Sequence, residues 1–249
     1  RICRIIMGIF QVVFYQPIYN LLIFLYDVMP FGGIGIAIIL VTLLIKGILF
    51  PFTFKMLKSQ RAMQEIQPKI AEIRKTYKDD REKMAEKLME VYKDNNVNPM
   101  ASCLPLIIQL PIFWALYRAL RDGVREIDPE LLYSFVSNPG EIQSMFLGID
   151  LAEVSITLAV LAAIAQYFQV KRTMARKPIK EVAKKEGAKD ENMMANMNKM
   201  MLYFIPGMTL VIGVTSMPGG VMLYWLATTF LTLILYSIFL PSKPEEKQD

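Results

Sequence analysis

The sequence predicts an all-α, polytopic membrane protein with five transmembrane helices. Three observations lead to this fold class. Of the 249 residues, 54% are hydrophobic and the mean hydropathy is +0.34, which is more apolar than an ordinary soluble domain. Five apolar stretches reach the length of about 20 residues that a helix needs to cross a bilayer. Charged residues still make up 20% of the chain and concentrate between these stretches, so substantial parts of it lie in water.

In chain order, the hydropathy and charge patterns divide the sequence into consecutive segments. They are an extracytoplasmic interfacial helix (1–30), TM1 (31–54), a cytoplasmic helical hairpin (55–99), TM2 (100–121), an extracytoplasmic loop (122–150), TM3 (151–170), a basic cytoplasmic loop (171–197), TM4 (198–216), a turn with TM5 (217–240) and a short cytoplasmic tail (241–249). The sequence SMPGG at 216–220 separates the last two apolar stretches, so these form a hairpin. Because the first residue is Arg1 and not Met, a leader or domain trimmed before it is one interpretation.

The N-terminal segment is apolar but contains polar residues at intervals. Within 9–30, apolar residues recur at helical spacing, while Gln11, Gln16, Asn20 and Asp27 interrupt the run. This pattern favours an amphipathic helix that lies at the membrane surface. A sixth spanning helix is the alternative.

The distribution of Lys and Arg predicts the orientation of the chain in the membrane. Of the 28 such residues, eleven lie in 55–99 and nine in 171–199. The loop 122–150 instead carries six acidic residues and one basic residue. Because loops rich in Lys and Arg stay on the cytoplasmic side, we expect the N-terminus outside and the C-terminus in the cytoplasm.

The first cytoplasmic loop has the pattern of two amphipathic helices. Apolar residues are spaced three and four apart in 55–78 and again in 81–93, so an antiparallel hairpin is expected. The apolar positions of this cytoplasmic arm include Ile66, Ile70, Ile73, Met84 and Leu88. Its dense mixed charge is typical either of a solvated structural loop or of a docking arm for a soluble, anionic partner.

The second basic loop, 171–197, also allows two interpretations. Its density of Lys and Arg would hold anionic lipid head groups or the phosphates of ribosomal RNA. No module that reads bases occurs in the sequence, so sequence-specific nucleic-acid binding is not expected.

Lys46 places a positive charge inside the first apolar stretch. It lies in LVTLLIKGILFP (40–51), about 18 Å from the outer end and about 12 Å from the inner end of the predicted helix. A Lys at the centre of a transmembrane helix costs about 2.5–3.5 kcal/mol on insertion scales. Such a residue faces a protein interior or a watery cavity, or else its flexible stem reaches the head groups. No acidic residue at this depth in the predicted spans would neutralise it.

Polar residues on the other predicted spans support a cavity around this charge. TM2, TM3 and TM5 each carry polar side chains at helical spacing, as TM1 does around Lys46. The candidate groove residues are Lys46, Thr42, Gln109, Gln166, Gln169, Trp225 and Thr228. Because polar groups in hydrocarbon need partners or water, converging stripes would form a wetted hollow with one fixed positive charge. That hollow suits an acidic polypeptide segment, and the same features would serve an anion transporter.

The composition argues against an enzyme or a metal protein. The chain has no His, which removes the commonest general base and most zinc or haem sites. Its two Cys residues, Cys3 and Cys103, form no metal-binding pair. Neither a GxSxG sequence nor two neighbouring carboxylates occur in the predicted spans. We therefore expect no catalytic residue, no metal and no cofactor.

Three stretches resemble the YidC/Oxa/Alb family of membrane protein insertases. They are VTLLIKGILFPFTFKMLKSQRAMQEIQPKI (41–70), NPMASCLPLIIQLPIFWALYRAL (98–120) and PGGVMLYWLATT (218–229), in the order and spacing of the family. The likeness covers most of 15–240 and implies a five-span helical core with a groove open to the cytoplasm and to lipid. The charge in this groove is typically Arg in the family, and Lys46 takes its place here.

The resemblance also implies a function, partners and a location. It implies a membrane protein insertase or chaperone of the bacterial inner membrane, a short form that acts on nascent membrane proteins. Ribosomes, the Sec translocon and membrane lipids are the further expected partners. By motif position, Gln109, Gln169 and Trp225 would line the groove, and the hairpin would receive the substrate. A small-molecule or anion transporter and a helix-assembly scaffold without insertion activity are the alternatives.

Overall fold

The computed structural model describes residues 7–29, 33–97, 104–123, 127–173 and 189–239. Helices account for most of them, which confirms the predicted class of an all-α, polytopic membrane protein. The helices are α1 (Met7–Val28, with a π-helical turn at Gln11–Tyr15), α2 (Gly33–Ile48), α3 (Phe50–Glu65), α4 (Gln67–Thr76), α5 (Arg81–Asp94), α6 (Leu104–Arg121), α7 (Ile156–Thr173), α8 (Lys189–Thr215) and α9 (Gly219–Phe239). The predicted tail (241–249) and most of the predicted basic loop (171–197) lie outside the described residues.

The core lies between α1, α2, α6, α7 and α9. Helix α9 packs against α2, α6 and α7, and α8 packs against α7. The largest fully enclosed side chains include Tyr19, Leu22, Ile38, Leu116 and Tyr224. Small residues allow the backbones to come close, as is usual between helices in membranes. A Cβ atom on Gly213 of α8 would lie 2.8 Å from the Cβ of Ala159 in α7 and 2.7 Å from the Sδ of Met222 in α9.

Residues 127–155, which precede α7, form a cap over one end of the helices. This cap contains a 3-10 turn at Pro129–Leu131 and an antiparallel pair of short strands, β1 (Met145–Phe146) and β2 (Ile149–Asp150). Asn20 of α1 is buried, donates to the carbonyl of Leu131 at 2.8 Å and accepts from the N–H of Tyr133 at 2.6 Å. These bonds attach the cap to the C-terminal half of α1.

The cap also holds the turn between α8 and α9. The N–H of Gly219 donates to the carbonyl of Glu153 at 2.7 Å, and the N–H of Gly220 donates to that of Leu151 at 2.8 Å. The SMPGG turn therefore satisfies the first N–H groups of α9 with backbone acceptors of the cap. This contact places the start of α9 and the start of α7 at the same end of the molecule.

Two of the described helices are individually long and apolar enough to cross a membrane. They are α1 and α9, and the bent pair of α2 and α3 gives a third if it counts as one span. The apolar part of α8, Met201–Thr215, is shorter. The number of five spans therefore stays a prediction. So does the surface position of α1, because this helix passes the length and composition criteria for spanning.

The first predicted span is broken at its inner end. TM1 is predicted as 31–54, but α2 ends at Ile48 and the chain bends by 66° before it continues as α3. Pro51 lies in the first turn of α3, and it has no N–H to give to the carbonyl of Gly47. Its ring also clashes with that carbonyl in a straight helix. The bend puts Lys46 in the last turn of α2.

The cytoplasmic arm of the sequence prediction contains three helices, since Pro68 separates α3 from α4 as Pro51 separates α2 from α3. Helices α4 and α5 pack against each other. Asp80 caps α5 by accepting from the N–H of Lys83 at 3.1 Å. The apolar cluster between the arm helices contains Ile66, Ile70 and Val97 as its buried members, with Ala62, Met63, Leu88, Val91 and Tyr92 packed on them. The predicted Ile73 and Met84 are half-buried outside this cluster.

Candidate functional site

Two side-chain hydrogen bonds connect three helices in the middle of the bundle. The amide nitrogen of Gln109 in α6 donates to the hydroxyl of Tyr224 in α9. The indole N–H of Trp225, the next residue of α9, donates to the amide oxygen of Gln166 in α7. Adjacent residues of α9 thus reach two different neighbouring helices, which agrees with the turn of about 100° per residue in a helix. The structure therefore brings together three of the predicted groove residues.

Aromatic packing supports the same arrangement. The ring of Phe113 in α6 meets Trp225 edge-on, with centroids 5.3 Å apart and planes at 88°. This T-shaped geometry is favoured because the positive edge of one ring meets the negative face of the other. Trp225 is half-buried, so part of its surface stays open beside the hydrogen-bonded pairs. The indole therefore bridges α6 and α7.

Lys46 is the charged residue of the site. Its side chain is half-buried, and it forms no hydrogen bond or ion pair with any residue that the structure describes. The sequences of α2, α6, α7 and α9 contain neither Asp nor Glu. The ammonium group lies in the last turn of α2, where the partial negative charge of the helix end favours a cation. This dipole offsets part of the cost of the half-buried charge but leaves the charge without a counter-ion among the described residues.

The position of Lys46 along the bundle follows from one contact of α9 with α2 and one with the start of α3. On one side, a Cβ on Gly220 would lie 3.2 Å from the Cδ1 of Ile38. On the other side, just past the bend, the rings of Phe50 and Phe239 lie 6.1 Å apart. Lys46 therefore lies on the stretch of α2 between these contacts, and Trp225 and Thr228 lie on the corresponding stretch of α9.

The predicted threonines have different environments. Thr42 has no exposed surface, and its hydroxyl donates to the carbonyl of Ile38 at 2.7 Å, so it is packed in the core. Thr228 is half-buried, and its carbonyl accepts a hydrogen bond from the hydroxyl of Thr232 at 2.7 Å. Gln169 is half-buried, and it too has an interaction partner. Thr42 is thus enclosed, whereas Thr228 and Gln169 keep part of their surface exposed.

Tyr224 is a site residue that the sequence analysis missed. It is buried, and its hydroxyl accepts from Gln109 across the helix interface. The signal was present in the sequence, because a Tyr inside an apolar span needs a partner for its hydroxyl. Tyr224 also precedes Trp225 and lies four residues before Thr228, on the polar side of α9.

The arm carries its charges on the outside. The ion pairs Arg61–Glu65 at 3.3 Å, Lys83–Asp80 at 3.3 Å and Lys87–Glu90 at 2.6 Å all join neighbouring turns or caps. The hydrogen bond from Lys87 to Glu90 raises the pKa of Lys87. Water screens such exposed pairs, so they shape the surface more than they stabilise it. Apolar packing, not charge, therefore holds α4 on α5.

Known proteins match this chain over most of its length. A family model described as 60Kd inner membrane protein matches residues 24–245. A protein of Fusobacterium nucleatum subsp. nucleatum named membrane protein insertase YidC is 34% identical over 203 residues, which cover 82% of this chain and 84% of that protein. The protein of the same name from Pelobacter propionicus is 33% identical over 205 residues. That alignment covers 81% of this chain and 34% of the relative, so the chain spans about a third of its length.

A shorter match is more similar. Over 108 residues, the membrane protein insertase YidC of Shewanella pealeana is 47% identical, which covers 43% of this chain and 19% of that protein. The similarity to these bacterial proteins thus includes both a relative of comparable length and relatives that are much longer.

Proposed function

We propose that this chain inserts transmembrane segments of nascent membrane proteins into the lipid bilayer. The chain belongs to the 60Kd inner membrane protein family, in agreement with the resemblance of its motifs to the YidC/Oxa/Alb insertases. The insertion route is a hydrophilic, positively charged groove that opens to the cytoplasm and to lipid. The observation that carries this proposal is Lys46, an ammonium without a described counter-ion, beside a helix whose Tyr224 and Trp225 engage polar side chains of two neighbours.

The groove lowers the cost of moving the polar end of a substrate part-way across the membrane. A carboxylate of that end is attracted by the ammonium of Lys46. At a separation of about 4 Å and an effective dielectric constant of about 20, this attraction is about 4 kcal/mol, and in bulk water it falls to about 1 kcal/mol. Because Lys presents a point charge and not the planar fork of Arg, it attracts a carboxylate without fixing its orientation.

Release into lipid follows from the apolar character of the substrate segment. A transmembrane segment gains free energy when its side chains leave water for hydrocarbon. The half-open face of Trp225 gives that segment an apolar surface along which it passes from the groove to the bilayer. No covalent step is required, and the protein acts as an insertase and chaperone without a metal or a cofactor.

The arm and the membrane position complete the proposal. The arm receives the substrate from a translating ribosome, and the protein works alone or beside the Sec translocon. It resides in the bacterial inner membrane, with its N-terminus outside and its C-terminus in the cytoplasm. Support for this orientation comes from the Lys and Arg residues of 55–99, which face the cytoplasm under the positive-inside rule.

The test compares Lys46→Ala with Lys46→Arg in proteoliposomes that contain the purified protein. The substrates are two versions of one short single-span protein, whose translocated end carries either two Asp residues or two Asn residues. We expect Lys46→Ala to reduce protease protection of the Asp version at least about fivefold, which corresponds to about 1 kcal/mol. Lys46→Arg retains insertion, and the Asn version is affected less by either change.

Three outcomes would count against the proposal. Equal insertion of the Asp version by Lys46→Ala and the unaltered protein removes the role of the charge. Binding of the substrate without any protease protection points to a scaffold. Flux of small anions through the proteoliposomes at a rate that depends on Lys46 points to a transporter.

A further inference from the structure

The first half of α3 combines aromatic and basic side chains on its exposed surface. Phe52 and Phe54 are 56% and 43% exposed, and Lys55 and Lys58 are exposed as well. Lys55 follows Phe52 by three residues, and Lys58 follows Phe54 by four, so each lysine shares a face with the phenylalanine one turn before it. Leu57 is instead buried. This half of α3 thus carries two pairs of one phenylalanine and one lysine on its outer side.

The depth of these side chains follows from their contact with α9. As the predicted TM5, α9 has 21 residues and extends about 30 Å, which equals the thickness of a hydrocarbon core. In the sequence, the charged tail PSKPEEKQD begins two residues after Phe239, the last residue of this helix. The ring centroid of Phe239 lies 6.1 Å from that of Phe50 and 5.3 Å from that of Phe54. The start of α3 therefore lies at the inner boundary of the hydrocarbon core.

The bend after α2 turns α3 toward the membrane plane. The two helices diverge by 66°, and transmembrane helices tilt by about 20° on average, so the axis of α3 lies about 46–86° from the membrane normal. At the middle of this range, each residue advances about 0.6 Å along the normal, so Lys58 lies about 5 Å nearer the cytoplasm than Phe50. The layer of polar head groups is about 5–7 Å thick. The phenylalanines thus lie at the edge of the acyl chains, and the lysines lie among the head groups.

The charge of this surface favours a negative partner. The sequence contains no Asp or Glu between Asp27 and Glu65, and Glu65 pairs with Arg61 at 3.3 Å. Lys55 and Lys58 form no ion pair with any residue that the structure describes. Of the helices that contact α3, α2 and α6 contain no acidic residue, and α4 begins beyond Glu65. The phosphates of RNA would match the lysines but leave the phenylalanines in water, whereas an anionic lipid matches both.

We propose that the first half of α3, residues 50–59, lies in the cytoplasmic interface of the membrane and binds an anionic phospholipid. The ammonium groups of Lys55 and Lys58 bind the phosphate of its head group, and Phe52 and Phe54 lie among its acyl chains. The bound lipid holds α3 near the membrane plane. It thereby sets the direction in which the arm leaves the bundle.

The test places a fluorescent reporter on this surface by the change Phe52→Trp, in a background with Trp114→Phe and Trp225→Phe. The protein is reconstituted with phosphatidylglycerol or phosphatidylethanolamine that carries bromine on its acyl chains, each diluted into the same unlabelled mixture. We expect the anionic lipid to quench the reporter at about fivefold lower mole fraction than the zwitterionic lipid, since one lysine near the surface contributes about this factor. Lys55→Gln combined with Lys58→Gln should abolish the preference, whereas Lys55→Arg combined with Lys58→Arg should keep it.

The matched control removes two other exposed lysines of the arm. Lys69→Gln combined with Lys75→Gln makes the same change of charge on α4 and should leave the preference unchanged. A second measurement keeps both native tryptophans and counts, by native mass spectrometry, the lipids retained after gentle extraction from mixed nanodiscs. There the pair of changes at Lys55 and Lys58 should reduce retained phosphatidylglycerol, and the control pair should not.

Three results would overturn the proposal. Equal quenching by the two lipids would remove the selectivity for negative head groups. A preference that survives the loss of both Lys55 and Lys58 would assign the selectivity to other residues. Absence of quenching by either lipid would show that this surface of α3 faces water or another protein and not the bilayer.

Discussion

The hydrogen bond between Gln109 and Tyr224 is the contact whose strength reports most directly on the inside of the bundle. We predict that Gln109→Leu and Tyr224→Phe are coupled by about 1 kcal/mol in the free energy of unfolding. Hydrogen bonds between transmembrane helices average about 0.6 kcal/mol and reach about 1.7 kcal/mol. Tyr224 is 2% exposed, which favours the upper part of this range, while Gln109 is half-buried, which lets water replace the lost partner. The intermediate value follows from these two exposures.

The assay is a double-mutant cycle measured by equilibrium unfolding with SDS in mixed micelles, followed by far-UV circular dichroism. The control cycle combines Gln109→Leu with Ser237→Ala, because Ser237 lies on the same helix as Tyr224 but about 20 Å further along it. Distant changes should be additive within about 0.3–0.5 kcal/mol. A coupling for Gln109 and Tyr224 no larger than that of the control cycle would refute the interhelical bond and with it this side of the site.

Three further changes test other parts of the account. Gly213→Leu should lower the free energy of unfolding by about 1–3 kcal/mol, because the new side chain meets α7 and α9. Gly207→Leu on the same helix, where a Cβ finds open space, should change the free energy of unfolding, and with it the melting temperature, little. Asn20→Ala should speed hydrogen exchange of the cap, since it removes two hydrogen bonds to that loop. Asn138 is exposed and accepts only from the nearby N–H of Gly140, so Asn138→Ala should leave the cap protected. Equal exchange in both variants would contradict the anchoring role of Asn20. Deletion of 60–95 should abolish insertion and leave the remaining helices folded by circular dichroism, and unimpaired insertion would show that the arm is dispensable.

The helices themselves were predictable, whereas their ends and the partners of their side chains were not. Apolar runs with helical spacing indicate where α6, α7 and α9 lie. The break before Pro51 was missed because a continuous apolar run hides a local loss of one hydrogen bond. The bend moves Lys46 from the interior of a long helix to the last turn of a shorter one, which changes its electrostatic surroundings.

The polar residues of the site illustrate the same limit. Spacing predicted that Gln109, Gln166 and Trp225 line a groove, and in the structure they take part in hydrogen bonds between helices, while the groove itself stays a prediction. It did not distinguish them from Thr42, whose hydroxyl bonds to its own helix and needs no cavity. A short side chain with a local acceptor and a long one that requires a distant partner give the same periodic pattern. Only the packing of the helices separates these cases.

The cap shows what long-range contacts add. Asn20 stood out in the sequence as a polar interruption of an apolar helix, and this was interpreted as a sign of the membrane surface. In the structure, its amide holds a loop more than 110 residues away in the chain. Pairings at this separation leave no periodic signal, so hydropathy and spacing could not reveal them.

The proposed groove requires that the charge of Lys46 faces water on the cytoplasmic side. The most direct measurement is the rate at which Lys46→Cys, in a background with Cys3→Ser and Cys103→Ser, reacts with a membrane-impermeant maleimide added to inverted vesicles. Reaction requires the thiolate and therefore water. Leu43→Cys, on an exposed apolar part of the same helix, is the matched control for a position that faces lipid. We expect Lys46→Cys to react at least about tenfold faster than Leu43→Cys, and a bound substrate to slow this reaction. Equally slow reaction at both positions would contradict the presence of a water-filled groove at Lys46.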